Sequence, residues 1–433
     1  MRASTCLLLK IGAAAFCAAA LAACGSNRSI TLTPPQGVKP KPHHHGSHTV
    51  DVYSSLPLKG SQRQDSNWII DGIKLALPGH VGDYNIKYKS LDDSPTHAEP
   101  VTHAGSIPPA VSNAQTAASD PRTVAYIGDL DSGASELSLP ILNQAGIVQI
   151  TPGSGYPGLT NKVPPVTGLS EPLKFYPTGR FTLLRLIPDD MVQAAAALEL
   201  LYSTGCRHVA AASFDGGVDG PALVNAVKMR AKAYGMTYVA APGRGRKTSG
   251  YPTYAATLSR LGVACFVLTG QVTPAAVALT DQIHVALPTG AIVGTTGFCS
   301  RDWTDPARHG VSAAVDPYLY CTSPLLPPSK YPGAGPFITA FRHIYHRAPE
   351  AYALIGYRAA EKVVDGITNL GNGGDNRKEV LRALIGGVGP ASTEAGTYGF
   401  DPHGDLTSHA YGIYHIVHGR PKYDKTLVPS GVL

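Results

Sequence analysis

Charge is scarce in this chain of 433 residues: Asp, Glu, Lys and Arg make up 15% of it, against roughly a quarter in ordinary soluble domains. The formal excess is only +6, and it is spread along the chain. Arg244, Arg246 and Lys247 form the one tight basic cluster, which reads as a solvated loop, so a nucleic-acid partner has no support. Catalytic signatures are missing too. No serine sits in GxSxG, and neither HExxH nor GxxxxGK[ST] occurs, which leaves an exported hydrolase without machinery and argues for a non-enzyme. There is no CxxC, so zinc and thioredoxin-like chemistry are poor readings. His43, His44, His45 and His48 fall in a polar stretch, while His343 and His346 read as surface residues of a helix. No cofactor and no metal is implied. What is present is apolar material, 43% of the residues, enough for a sizeable core and against wholesale disorder.

The first apolar run ends early. From residue 11 to 23 it is too short to span a bilayer, which takes about 20 residues, and suits the core of a signal peptide preceded by Arg2 and Lys10. It closes on Leu21-Ala22-Ala23-Cys24-Gly25-Ser26, which resembles a bacterial lipobox. That resemblance implies cleavage before Cys24, diacylglycerol on its thiol, and a lipoprotein exported to the outer face of the cell membrane. Residues 24–48, rich in Pro, Gly and Ser, read as a flexible tether with a coil reach of roughly 27 Å. Cys6 and Cys17 leave with the signal. Four cysteines remain, an even number in an oxidising compartment. They allow three pairings. Cys299–Cys321, closing one irregular segment, and Cys206–Cys265, at two neighbouring strand starts, are favoured.

Beyond residue 48 the pattern alternates. Strands are expected at 48–54, 84–90, 123–130, 146–151, 209–214, 263–269, 291–294 and 411–418. Helices are expected at 66–77, 113–118, 135–145, 189–204, 220–234, 274–284, 336–346, 352–370 and 377–386. The helix at 66–77 carries Ile69, Ile73 and Leu77 on one face, and the pair Asp189-Asp190 suits a helix N-terminus. Strands alternating with helices imply parallel sheets covered on both faces. So much of it exceeds a single core, which gives an α/β fold of two Rossmann-like lobes.

Ligands of open α/β sheets bind beyond the carboxyl ends of the strands. One such end is residues 127–135, where Asp129, Asp131 and Ser132 precede a helix. Unpaired amides and the helix dipole make this a ready carboxylate site, unless Asp131 or Ser132 merely caps the helix. A second is residues 150–160, with Gly153, Ser154 and Gly155. It contains a literal GxGxxG, but Pro157 forbids the helix that a dinucleotide fingerprint needs. Bare backbone able to approach a small ligand remains. A third group comprises residues 215–220, 270–272 and 294–298.

Taken in order, Asp71-Gly72-Ile73-Lys74-Leu75-Ala76, Val124-Ala125-Tyr126-Ile127-Gly128, the run 140–146, Ile150-Thr151-Pro152-Gly153, Tyr352-Ala353-Leu354-Ile355-Gly356-Tyr357 and the run 399–405 resemble the leucine/isoleucine/valine-binding proteins. These are the type I periplasmic solute-binding proteins of ABC transporters, and the likeness extends from about residue 49 to 419. It implies two lobes that close on ligand about three hinge crossovers, near Leu186, Cys321 and Gly399. The lobes would be 49–186 plus 322–398 and 187–321 plus 399–433. In the family a serine at a helix N-terminus holds the ligand carboxylate, which matches Ser132, with backbone help matching Gly153 to Gly155. The chain departs from the pattern elsewhere. Asp219 stands in place of a Tyr, Gln271 or Val272 in place of a second aromatic, Thr296 in place of the acid that pairs with the ligand ammonium, and Asp65 in place of a cleft aromatic. Either Asp219, Asp65, Asp129 or Asp131 replaces that acid, or the ligand is not a simple α-amino acid. The expected protein is a monomeric, lipid-anchored receptor that passes a small polar, amino-acid-like, carboxylate-bearing ligand to an ABC permease. The alternative is a ligand-sensing or partner-binding surface lipoprotein of the same fold with no transport role.

Overall fold

A computed structural model describes residues 49–94, 108–214, 217–240, 248–386, 391–393 and 396–430. The expected signal peptide, the tether, Cys24 and the cluster Arg244, Arg246 and Lys247 lie outside the described residues. The strands are β1 (Thr49–Leu56), β2 (His80–Val81), β3 (Tyr84–Asp92), β4 (Thr123–Ile127), β5 (Val148–Thr151), β6 (Leu183–Arg185), β7 (His208–Ser213), β8 (Thr237–Tyr238), β9 (Cys265–Thr269), β10 (Ile292–Gly294), β11 (Leu319–Ser323), β12 (Ala391–Thr393), β13 (Gly396–Tyr398), β14 (Tyr411–Val417) and β15 (Arg420–Leu427). The helices are α1 (Arg63–Ala76), α2 (Pro109–Ser119), α3 (Ser132–Ala145), α4 (Asp190–Ser203), α5 (Asp219–Arg230), α6 (Tyr251–Arg260), α7 (Pro274–Ala286), α8 (Arg301–Thr304), α9 (Gly335–Tyr345), α10 (Ala351–Leu370) and α11 (Arg377–Gly386).

Two sheets result. The first runs β2-β3-β1-β4-β5-β6 and is parallel except for the β2–β3 pair. The second runs β15-β14-β11-β10-β9-β7-β8, parallel from β11 to β8, with β14 and β15 antiparallel at one edge. The central strands β4, β5 and β9 are buried at every residue, which explains their unbroken rather than alternating hydrophobicity: both faces carry helices.

Close backbone approach explains two of the glycines in the recurring sequence runs. A Cβ on Gly72 would lie 1.9 Å from the Ala353 carbonyl oxygen, and one on Gly356 would lie 2.1 Å from that of Ile69. Helices α1 and α10 therefore cross at backbone contact, and Ile69, Ile73, Ile355 and Val363 fill the core beneath them. Only Gly fits at either crossing point.

Both favoured disulfides form, Cys206, just before β7, to Cys265 at the start of the neighbouring β9, and Cys299–Cys321 across a 22-residue separation. The alternating plan holds, with additions. Strands β2, β6, β8, β11, β12, β13 and β15 and helices α6 and α8 go beyond the expected elements. Strand β6 is three residues long and carries the buried Arg185, and β15 is a largely exposed edge strand. Neither shows a periodicity that a short window can register. Helix α1 begins at Arg63 rather than 66, and α5 yields at Ala231 to a tighter turn that ends at Tyr234.

Candidate functional site

The carboxyl ends of the two sheets face one cavity of about 820 Å³. From the first sheet it receives Leu130 and Asp131 after β4, and Pro152, Gly153 and Gly155 after β5. Gln62, Asp65 and Trp68 of the α1 region and Glu350 and Tyr352 at the head of α10 complete that side. From the second sheet come Gly270, Gln271 and Val272 after β9, Thr295, Thr296 and Gly297 after β10, and Ser323 to Leu325 at the end of β11. Asp190 and Gln193 of α4, Asp219 of α5, and Arg301, Asp302 and Arg308 add polar groups.

The floor is built by close contacts. A Cβ on Gly153 would lie 2.5 Å from Leu130 Cδ1 and 2.7 Å from the Leu130 carbonyl oxygen. On Gly155 it would lie 2.3 Å from Asp190 Oδ1, and on Gly297 2.3 Å from the Gly270 carbonyl oxygen. Each loop is thus pressed against its neighbour, and the Gly155 carbonyl accepts the Asp190 N–H at 2.9 Å.

Behind the 153–160 loop lies Arg185, which the sequence reading did not single out. It is fully buried and every arm is used. Nε reaches Asp405 Oδ1 at 2.8 Å, Nη1 donates to the Ser154 and Tyr156 carbonyls at 3.0 Å, and Nη2 donates to Thr160 Oγ1 at 2.7 Å. Asp405 in turn accepts from Thr160 Oγ1 at 2.8 Å and Asn161 Nδ2 at 2.7 Å. The hub holds the cleft loop against residues 401–405. A Cβ on Gly404 would lie 1.9 Å from the Leu183 carbonyl oxygen, which is why that run contains glycine.

The proposed ligand residues are divided by this geometry. Asp65, Asp131, Gly153, Gly155, Asp219, Gln271 and Thr296 line the cavity. Ser132 and Ser154 lie just behind its wall, fully buried. Ser132 Oγ accepts the Tyr156 N–H at 3.1 Å, and Ser154 Oγ pairs with Ser135 Oγ at 2.8 Å. Asp131 caps α3, accepting the Gly133 N–H at 2.9 Å, so the helix-capping alternative applies to it. Thr296 Oγ1 accepts from Gln193 Nε2 at 2.7 Å. Asp129 sits below the floor, fully buried, taking hydrogen bonds from Tyr126 at 3.0 Å and from Ser138. Burial keeps Asp129 and the adjoining Asp93 above the ordinary range, and the Asp129 charge adds to the rise of Asp93, to about 8. Trp68, Glu350, Tyr352, Gln193, Arg301 and Arg308 were not anticipated. Tyr352 opens one of the recurring runs but was not read as a site residue, and the others carry no motif of their own, reaching the site only through tertiary packing.

The electrostatics of the cleft are uneven. Asp65 is half-buried, its carboxyl raised to about 6 by burial and by Glu350 opposite. Among the described residues it has no hydrogen bond or ion pair. The two guanidiniums of the cleft are both occupied: Arg301 pairs with Asp305, and Arg308 with Asp302 at 2.7 Å. Among the described residues no group of three or more His, Cys, Asp or Glu could hold a metal ion. No helix there is long and apolar enough to cross a membrane.

Two mostly parallel sheets with helices on both faces, facing each other across a polar cleft, are the type I periplasmic binding fold. Solved structures of that fold superpose on nearly the whole chain. A leucine-binding protein LivK from Thermotoga maritima matches with a TM-score of 0.68 at 20% identity, over 88% of this chain and 99% of its own. An ABC transporter substrate-binding protein from Desulfitobacterium hafniense in complex with Leu gives 0.67 at 18%, over 87% and 100%. A solute-binding protein from R. palustris in complex with benzoate gives 0.63 at 16%, over 89% and 97%. No family model matches the sequence, and no curated protein does.

Proposed function

We propose that the chain is an extracytoplasmic solute-binding receptor of an ABC importer, anchored through a lipid on Cys24. It binds a small polar, amino-acid-like ligand in the cleft and has no catalytic role. The observation that carries this reading is the cavity of about 820 Å³ between the carboxyl ends of two sheets, where open α/β sheets take their ligands. Support comes from the fold neighbours, which by name bind leucine and benzoate.

In this reading the lobes are 49–186 plus 322–398 and 187–321 plus 399–433, closing about crossovers near Leu186, Cys321 and Gly399. The ligand carboxylate meets the first-turn amides of α3, with Ser132 ordering that turn through Tyr156 and with Gly153 to Gly155 beside it. Asp65, Asp131, Asp219, Gln271 and Thr296 supply the remaining polar contacts. Closure follows because the ligand touches both sides only in the closed state, and that difference in affinity shifts the population.

Thermal-shift screening tests the reading. A transport ligand at a hundredfold its dissociation constant adds about 2.7 kcal/mol of stability. A broad panel of small solutes that leaves the melting temperature unmoved argues for a partner-binding surface protein instead. Metabolic labelling with palmitate, abolished in Cys24→Ala, checks the anchor.

A further inference from the structure

We propose that the solute carries net positive charge, and that its protonated amine or guanidinium sits against Asp65 and Glu350. This deepens the receptor reading and rests on it. The cavity lining contains six carboxylates and two guanidiniums, with no lysine and no histidine. Both guanidiniums are already neutralised, Arg301 by Asp305 and Arg308 by Asp302. The described wall therefore has no uncommitted cation to receive an anionic solute.

The Asp65–Glu350 corner is the reverse case. Asp65 stands on α1 one turn before Trp68, and Glu350 occupies the N-cap position of α10, directly ahead of Ala351 and Tyr352. Neither carboxylate has a hydrogen bond or ion pair among the described residues, and Glu350 makes no side-chain bond to its own helix end. Asp65 is half-buried and Glu350 is exposed at the cavity rim; the two repel each other, and Asp65, the more desolvated of them, gains most from a cation that joins them. Tyr352 lines the same wall, whereas the buried Trp68 ring already carries the Arg347 guanidinium, 3.7 Å from its centroid. An aromatic ring beside carboxylates suits an organic cation, which draws on both charge and ring quadrupole. An inorganic ion gains little from that apolar border. The two carboxylates come from the first turn of α1 and the cap of α10, helices packed together at Gly72 and Gly356.

Isothermal titration of the purified full chain at pH 7.5 tests this. The probes are L-lysine, L-arginine and putrescine, against L-leucine and L-glutamate. The expected result is binding by a cationic probe and none by L-glutamate. Asp65→Asn and Glu350→Gln, separately, should weaken that binding at least tenfold while the ligand-free melting temperature is unchanged or higher. Binding of L-leucine or L-glutamate alone overturns the cationic assignment and leaves the receptor reading standing. A cationic probe that binds both variants as tightly as the unmodified chain overturns the seating at this corner. Failure of every probe, charged or neutral, overturns the assignment and counts against the receptor reading itself.

Discussion

Arg185 and Asp65 are a fully buried and a half-buried charge in the same fold, and their surroundings are opposites. The guanidinium of Arg185 is fully enclosed, yet each nitrogen has an oxygen partner, supplied by Asp405, Thr160 and two carbonyls. Asp65 is less deeply placed, has no side-chain hydrogen bond or ion pair among the described residues, and has Glu350 as its charged neighbour. A buried charge is tolerated when its partners come from the protein itself, and then it fixes geometry. A charge left without partners beside a cavity is a charge kept for something absent from the chain. The first arrangement holds the 153–160 loop in place. The second is the seat proposed for the solute's positive charge.

Breaking the satisfied charge should cost most. Arg185→Ala leaves the largely buried Asp405 with its strongest partner gone, and a loss of about 3–5 kcal/mol in unfolding free energy is expected, read from denaturant titration. A loss below about 1 kcal/mol would mean that the hub is not what holds the loop. Opening the Cys299–Cys321 bridge by the double change to Ser comes next. The bridge closes a 22-residue separation, and its first cysteine directly follows the turn that gives Thr296 and Gly297 to the cleft wall. A loss of about 2–4 kcal/mol is expected, with weaker solute binding measured by calorimetry. Loss of stability with unaltered affinity would show that the turn keeps its shape without the bridge.

Smaller still is Ser132→Ala. The hydroxyl takes the Tyr156 N–H at 3.1 Å inside a sealed site, so its removal orphans a buried amide and costs about 1–3 kcal/mol of stability. The same change should weaken a carboxylate ligand if that turn receives it. Calorimetry on a carboxylate-bearing and a carboxylate-free cation separates the two effects, because only the first should lose affinity.

The contrast also marks what sequence could disclose. The alternation of strands and helices, both disulfides and the strand-end turns were legible, because each depends on local periodicity or on neighbours along a sheet. Asp65 and Thr296 stood out as departures from a pattern. The Arg185 hub was not legible: its partners lie as far as 220 residues away in sequence, and an arginine in a three-residue strand gives no local sign of burial. Glu350 and Tyr352 escaped for the same reason, since only the crossing of α1 and α10 brings them to Asp65.

The least costly way to probe the unsatisfied charge is to titrate it. Carboxyls held above their ordinary range in the folded chain bind protons more tightly than in the unfolded one. Their contribution is therefore full in acid and is lost as pH rises through the folded values, about 6 for Asp65 and about 7 for Glu136, both raised chiefly by burial. The Asp93–Asp129 pair acts in the same direction. Asp92 and Asp120, held low by lysine and backbone partners despite burial, change only in stronger acid. The ligand-free chain should thus melt higher at pH 5 than at pH 8. Asp65→Asn should flatten part of that slope and raise the melting temperature at pH 8 by about 1 °C, whereas a bound cationic solute should do the same without any substitution. An Asp65→Asn variant whose slope matches that of the unmodified chain would place the titration in the Asp93–Asp129 pair and Glu136, and would leave the cleft carboxylate electrostatically silent.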